Sequence, residues 1–338
     1  MPEMATDFSQ DFSKVFEGFS APSSVCFAAG SSEQLLVVDR GAHAVKLVGA
    51  DGTTLATYGE KGEGEGQFKY PRGVCNLPDG GFAVADAENH RIQLFGSDGD
   101  FVSAFGEKGC KAGQFAFPHA VAAARKSDSF WPQSETETVL VVADLNNHRI
   151  QILQSDGKPL TDFGADKGLQ AIAPVSQITT NEDLDCLCYP IKHDGRSSGC
   201  LRAPFDVCLT ADGHIVVADY GNDRVKLFTS DGTFVRCIGG DPEILSKLER
   251  EARGREINRE VAAQEDQLRF PSSVCVGSSG SIFVGDSKHG RVAVFDVGGS
   301  FLGSAVGGKC GTTGLGLASG PDGAFAVADA GSGRVCLF

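Results

Sequence analysis

The sequence predicts an all-β fold, a six-bladed β-propeller of four-stranded antiparallel blades, and three observations predict it. A phrase of the form VADxxNHRIQLF occurs in six variants, which begin at Val37, Val84, Val142, Val217, Val284 and Val327. Turns that contain Asp-Gly separate runs of alternating apolar residues, which is typical of β-hairpins. Six equivalent units with short, regular turns indicate radially arranged blades rather than a sandwich.

Each unit contains four predicted strands, which are clearest between residues 73 and 106. The run GVCNL leads through a Pro-Asp-Gly turn to FAVAD, and a polar loop follows. The run RIQLF then leads through a Ser-Asp-Gly turn to FVSAF. The same order recurs along the chain, so each unit predicts an antiparallel meander.

The last unit ends at Phe338 without a fourth strand. Residues 12–19, FSKVFEGF, are similar to the fourth-strand segments FVSAFG and FVRCIGG of other units. We therefore predict one domain over residues 1–338, in which this N-terminal segment closes blade six and covers an otherwise exposed sheet edge.

The repeated unit resembles the NHL repeat. The pattern is G-x-G-x-F-x-x-P-x-G-V, then V-A-D-x-x-N-H-R-I-Q-x-F, then D-G-x-F-x-x-x-F-G, and residues 64–109 match it nearly throughout. Blade one departs from it with Ala44 in place of the arginine, and blade six with Thr312 in place of the proline. The resemblance implies a six-bladed propeller like that of tripartite-motif NHL proteins, without their RING, B-box or coiled coil.

Composition narrows the classes of partner. The formal net charge of −14 disfavours RNA, because proteins that bind phosphates usually present a basic face. The 11 cysteines lack disulfide-like spacing, no apolar run is long enough to cross a membrane, and no signal peptide is recognisable. We expect a cytoplasmic protein that does not contact membranes.

The repeated polar residues are interpreted as structural. An aspartate ends the second strand of every unit and an arginine follows in five, and a residue used once per blade serves the ring rather than one catalytic centre. His43, His90 and His148 share one repeat position on different blades, too far apart for the ligand distances of zinc. No nucleotide-binding, metalloprotease, hydrolase or calcium-binding motif occurs. We expect no catalytic residue, metal or cofactor.

Three inserts interrupt the repeat, at residues 125–138, 167–200 and 239–267. The last follows Asp241 and Pro242 and is rich in Glu, Arg, Leu and Ala, which predicts a helical insert between blades four and five. The second and third flank blade four and enter from one face, where they are predicted to wall a partner-binding groove. Its proposed residues are Tyr189, Pro204, Phe205, Tyr220, Asn222 and Leu248.

The leading functional hypothesis is a non-enzymatic scaffold or adaptor that binds a protein partner on this face. One alternative is a single-stranded RNA-binding NHL module, and another is a substrate-binding adaptor of a ubiquitin ligase. A propeller lyase or hydrolase is less favoured, since no set of inward-pointing His, Glu or Asp residues is identifiable. The residues proposed to contact RNA are Tyr70, Arg72, His119, Arg202 and Arg269.

Overall fold

A computed structural model describes residues 13–126, 130–131, 134–165, 199–239, 266–305, 314–320 and 323–338. The regular elements of this part of the chain are β-strands and short 3₁₀ turns. The strands are β1 (Lys14–Phe16), β2 (Pro22–Phe27), β3 (Leu35–Asp39), β4 (Ala44–Val48), β5 (Thr54–Tyr58), β6 (Val74–Asn76), β7 (Phe82–Asp86), β8 (Arg91–Phe95), β9 (Phe101–Phe105), β10 (Pro118–Arg125), β11 (Thr138–Asp144), β12 (Arg149–Gln154), β13 (Pro159–Phe163), β14 (Pro204–Leu209), β15 (Ile215–Asp219), β16 (Arg224–Phe228), β17 (Phe234–Ile238), β18 (Pro271–Val276), β19 (Ile282–Asp286), β20 (Arg291–Phe295), β21 (Phe301–Ala305), β22 (Leu315–Ser319), β23 (Phe325–Asp329) and β24 (Arg334–Leu337).

These strands form six antiparallel sheets of four strands each, which confirms the predicted six-bladed propeller. In blades one to five, the strands β2 to β21 follow one another in chain order. Blade six is built from β22, β23, β24 and, on its outer side, β1. Lys14 pairs with Leu337 and Phe16 with Val335, so the outermost strand of blade six comes from the N-terminal segment.

The first strands of neighbouring blades pack against one another around the centre of the ring. The backbone N–H of Val74 donates to Ser24 Oγ at 3.4 Å, and that of Val274 donates to Asp206 Oδ2 at 2.9 Å. Gly73 permits the closest approach, because a Cβ there would lie 2.8 Å from the Cα of Ala120 in blade three. Small residues at these positions therefore set how tightly the ring closes.

Apolar side chains from facing sheets fill the space between blades. Val38, Phe68 and Val84, for example, share one cluster between blades one and two. Trp131, from the 125–138 insert, is buried in the cluster between blades three and four. The cysteines of the first strands lie in or beside these clusters, and burial raises the pKa of Cys26 to about 12, which is the behaviour of a small apolar residue. In the described residues every cysteine is a free thiol.

The ring has two different faces. The upper face carries the turns between second and third strands and the connections into first strands, whereas the lower face carries the hairpin turns. On the lower face most hairpin turns hold an aspartate. These aspartates are Asp51, Asp79, Asp98, Asp156, Asp212, Asp231 and Asp296.

Part of what the sequence predicts lies outside the described residues. This applies to most of the inserts 167–200 and 239–267, and with them to the predicted helix, Tyr189 and Leu248. The part of the chain that the structure describes contains no α-helix. Among these residues no helix has the length and apolar character needed to span a bilayer.

Deletion of residues 1–19 is expected to destabilise the ring. It removes β1, the buried Phe16 and the hydrogen bonds to β24, and it exposes a sheet edge. The midpoint of thermal unfolding should fall by at least about 5 °C. Deletion of residues 1–12, which leaves β1 in place, is the control. Equal melting temperatures for the two truncated proteins would contradict the closure of blade six by β1.

Candidate functional site

In blades one to five, the aspartate that ends the second strand holds the connection into its own blade. Its side chain is buried, and Oδ1 accepts a hydrogen bond from a backbone N–H of that connection. The N–H of Lys69 donates to Asp86 at 2.8 Å, and that of Arg202 to Asp219 at 2.7 Å. The corresponding donors to Asp39, Asp144 and Asp286 are Ala21, Ala116 and Arg269. The connections therefore enter the first strands of blades one to five in the same way.

The second oxygen of the same carboxylate binds a cation. Arg91 Nε lies 2.8 Å from Asp86 Oδ2, and Arg149 and Arg291 make the equivalent pairs with Asp144 and Asp286. The repeat aspartate and the repeat arginine thus pair in blades two, three and five. Charge-assisted bonds of this kind offset the cost of burying the carboxylate.

Blades one and four use a lysine instead, which sequence reasoning missed. Lys46 Nζ lies 2.8 Å from Asp39, and Lys226 Nζ lies 3.2 Å from Asp219. Arg224 of blade four instead donates from Nε to the carbonyl of Asn222. The sequence does indicate this exchange. Two places after the position of the repeat arginine, blades two and three have glutamine, whereas blades one and four have lysine.

The environment of these carboxylates suits a structural role. Burial raises the pKa of Asp86 and of Asp144, although both accept several hydrogen bonds. At Asp39 burial acts in the same direction, but the bonds from Lys46 and from the backbone outweigh it and lower the pKa. Because N–H groups and cations already occupy both oxygens, these residues are not free to act as acids or bases.

The repeat histidines join blades one, two and three each to the next blade. Nδ1 of His43, His90 and His148 accepts a hydrogen bond from a backbone N–H of the following blade, at 3.0 to 3.2 Å. In blade four Asp223 takes this place and accepts the N–H of Phe270 at 2.8 Å. Since Nδ1 is the acceptor, each imidazole is neutral and carries its hydrogen on Nε2. The histidines therefore serve as ties between blades.

The residues held by these ties have an unusual backbone. Tyr70, Phe117, Ala203 and Phe270 each precede the first strand of a blade and have φ between 47° and 58°. A non-glycine residue in this left-handed region is strained by about 1–3 kcal/mol. The hydrogen bonds from their N–H groups to the preceding blade stabilise this conformation. Three aromatic side chains are thereby fixed at the upper face.

Four aromatic side chains form a continuous row on this face. We call His119, Phe205, Tyr220 and Phe270 the ring row. The ring centroids of His119 and Phe205 are 4.2 Å apart, those of Phe205 and Tyr220 4.0 Å, and those of Tyr220 and Phe270 5.0 Å. The last two pairs are stacked. Phe270 is 37% exposed, which is high for an aromatic side chain. The row crosses blades three to five.

The structure brings together only part of the predicted groove. Phe205 and Tyr220 lie in contact within the ring row. Pro204 is buried at the start of β14, and the side-chain amide of Asn222 donates to Asp219 at 2.8 Å, so both serve the scaffold.

The residues proposed to contact RNA do not form one patch. Tyr70 packs against His43, at a centroid distance of 4.4 Å, away from the ring row. Arg202 passes beside Gly221, since a Cβ on Gly221 would lie 2.6 Å from Arg202 Cγ, and Arg269 directly precedes Phe270. These two arginines lie beside the ring row, to which His119 itself belongs, whereas Arg72 follows Pro71 in blade two.

Within residues 13–126 and the later described segments, no group of three or more His, Cys, Asp or Glu side chains is placed to hold a metal ion.

Comparison with known proteins agrees with this architecture. The NHL repeat family model matches residues 68–95 and 268–295, so the six-bladed propeller contains NHL repeats. These matches span the first three strands of blades two and five. No curated protein matches the chain in sequence.

Solved structures with the same fold include enzymes. A streptogramin B lyase is 10% identical, with a TM-score of 0.55 and coverage of 96% of both chains. An inactive variant of virginiamycin B lyase from Staphylococcus aureus, with quinupristin, is 10% identical at a TM-score of 0.53, over 96% of this chain and 98% of that one. A protein of unknown function from Bacteroides caccae is 14% identical at a TM-score of 0.54, over 88% and 85%. At such identities the likeness shows the fold alone.

The histidine ties are expected to make stability depend on pH. Burial is the main reason that the pKa of His90 falls from 6.5 to about 4. A lowered pKa stabilises the fold fully above about pH 6.5, and this stabilisation is lost as the pH falls toward 4. When the pH falls from about 7 to 4.5, the unfolding free energy of His90→Asn should decrease less than that of the wild type. The difference should be on the order of 1 kcal/mol, because solvent screens part of the shift at this partly exposed ring.

Asparagine is the chosen replacement because it tolerates positive φ and its Oδ1 accepts the N–H of Phe117 without titrating. Urea unfolding at the two pH values measures the difference. Val102→Ala, at an exposed side chain of an outer strand, is the control and should keep the wild-type pH dependence. A wild-type pH dependence in His90→Asn would contradict the role of this tie.

Proposed function

We propose that this protein is a non-enzymatic interaction scaffold whose partner, a protein, binds the upper face at the ring row. The observation that carries the proposal is the row itself, four aromatic rings in contact across blades three to five and partly exposed. Aromatic side chains held in place supply much of the binding energy at protein interfaces, since little conformational entropy is lost when they bind.

The position of the ring row allows a partner to bind in one orientation only. The repeated loops of the propeller are alike, and a partner needs a feature that occurs once. The ring row exists because blade four departs from the repeat, with Phe205 after its proline and Tyr220 in its 3₁₀ turn. Arg202 and Arg269 beside it add charge at the rim, where charge contributes more to orientation than to affinity. Blade four therefore gives the ring one distinguishable side.

We place this scaffold in a reducing compartment, the cytoplasm, on the support of the free thiols in the described residues. A ubiquitin-ligase adaptor is one specific form of such a scaffold, and its partner would be the ligase substrate.

Removal of one ring from the row should weaken binding of the partner. Tyr220→Ala and Phe270→Ala are the variants, because both side chains reach solvent and neither lies in an apolar cluster between blades. Partners identified by affinity capture with the wild type are then purified and titrated against each variant. We expect at least about a tenfold loss of affinity, the usual effect of an aromatic hot spot.

Val102→Ala and Leu302→Ala are matched controls, since these apolar side chains are also exposed but lie on outer strands. They should bind the partner as the wild type does. Unchanged affinity in both ring-row variants, or equal losses in the controls, would place the interface elsewhere.

Single-stranded RNA is the second candidate ligand, because the exposed ring of Phe270, at the end of the row, and the two flanking arginines also suit a stacked base. The net charge of −14 opposes it. Micromolar binding of a uridine-rich oligonucleotide at about physiological salt, lost in Tyr220→Ala, would favour RNA over a protein partner.

A further inference from the structure

The outer edge of blade one is a free sheet edge that lies wholly within the described residues 13–126. Its strand β5 pairs with β4 on one side, and no strand of the described chain pairs with it on the other side. The run from Thr53 to Tyr58, TTLATY, contains no charged residue and is rich in residues that favour strands. Proteins usually protect such edges, because their free N–H and C=O groups can pair with another chain.

The outer strands of the other blades carry features that oppose such pairing. β13 begins with Pro159, β17 contains Arg236, and β1 begins with Lys14. β21 has Gly303 at its centre, which weakens a strand. β9 is similar to β5, but the charged residue Asp100 directly precedes it. Among the outer strands, β5 is therefore the one that is most open to pairing.

The leucine of β5 faces solvent. The pairing of β5 with β4 shifts between Leu47 and Val48, so that Leu55 has no partner on β4. Leu55 is 53% exposed, and Thr54 and Thr57 are exposed beside it. The edge therefore offers an apolar contact in addition to its backbone groups.

The charges at the two ends of β5 favour a second copy of the same strand as the partner. Asp51 precedes the strand and Lys61 follows it, and both are exposed. In an antiparallel pair of two copies centred on Ala56, Asp51 of one copy lies near Lys61 of the other. A pair centred one residue later would place Asp51 near Glu63, a like charge, and one centred a residue earlier would place it near Gly59.

The side chains of this register are also compatible. Leu55 lies opposite Thr57 and Thr54 lies opposite Tyr58, and each pair occurs twice because the contact is two-fold symmetric. Ala56 lies on the two-fold axis, where its small side chain allows the two edges to approach.

The charges balance at each end of the paired strands. Lys14 donates from Nζ to the carbonyl of Ala50 at 2.8 Å, next to Asp51. The second copy contributes Glu60 and Lys61 at the same end. Each end therefore combines two positive and two negative side chains, so the two copies meet without an excess of like charge.

We propose that two copies of the protein form a two-fold dimer in which their β5 strands pair antiparallel at the rim of blade one. The two blade-one sheets then continue into each other. Blade four lies opposite blade one in the ring, so both ring rows stay free in the dimer. A partner with two binding segments gains affinity from such a pair of faces. The dimer itself does not depend on the proposed function.

Sedimentation velocity of the full chain between about 1 and 200 µM measures the dimer. We expect a dissociation constant on the order of 10–100 µM, since one strand from each copy makes a small interface. Leu55→Lys should weaken the dimer at least about tenfold, because an edge lysine opposes strand pairing. Val102→Lys, the same change at the equivalent exposed position of β9, is the matched control and should dimerise as the wild type does.

A charge exchange tests the register. Asp51→Lys and Lys61→Glu should each weaken the dimer at least about tenfold, because each places like charges at both ends. An equimolar mixture of the two variants should dimerise again, since opposite charges then meet at both ends. A wild type that stays monomeric over the whole range, an equal loss in Val102→Lys, or no recovery in the mixture would overturn the proposal. The ring row takes no part in these measurements, so their failure and that of the proposed function are distinguishable.

Discussion

A buried carboxylate at the end of each second strand is the constraint on which the upper face depends. Burial of such a group is costly unless hydrogen bonds and a cation surround it, and here the chain supplies both. Asp219, for example, accepts the N–H of Arg202 and pairs with Lys226. The connection that precedes each of blades one to five is thereby fixed, and with it, in blades two to five, the strained residue before the proline. The histidine ties and the ring row are built on this arrangement.

Functional asymmetry arises where one blade departs from the repeat. Blade four has Lys226 in place of the glutamine, Asp223 in place of the histidine, and Tyr220 in its 3₁₀ turn. These changes keep the loop geometry, since Asp223 still accepts the N–H of the next blade. They alter which side chains reach the surface. The ring therefore keeps its closure while one sector gains a row of aromatic rings.

Much of the fold was predictable because strand periodicity and Asp-Gly turns are local signals. The Asp–Arg pairs were also predictable, since the two residues are five positions apart in one repeat. Prediction of the pair between Lys226 and Asp219 required a comparison of equivalent positions in different blades. The ring row depends on contacts between blades, such as His119 with Phe205, 86 positions apart, and no pattern in the sequence reports such contacts. The predicted groove also included Pro204 and Asn222, which the structure assigns to the scaffold.

Amide hydrogen exchange of the connections tests most directly whether the buried carboxylates organise the upper face. The N–H groups of Lys69, Ala116, Arg202 and Arg269 lie outside the strands, where exchange is ordinarily fast. If they donate to Asp86, Asp144, Asp219 and Asp286 as described, they should exchange as slowly as amides within the sheets. Exchange at the rate of the exposed hairpin turns would contradict this account of the upper face.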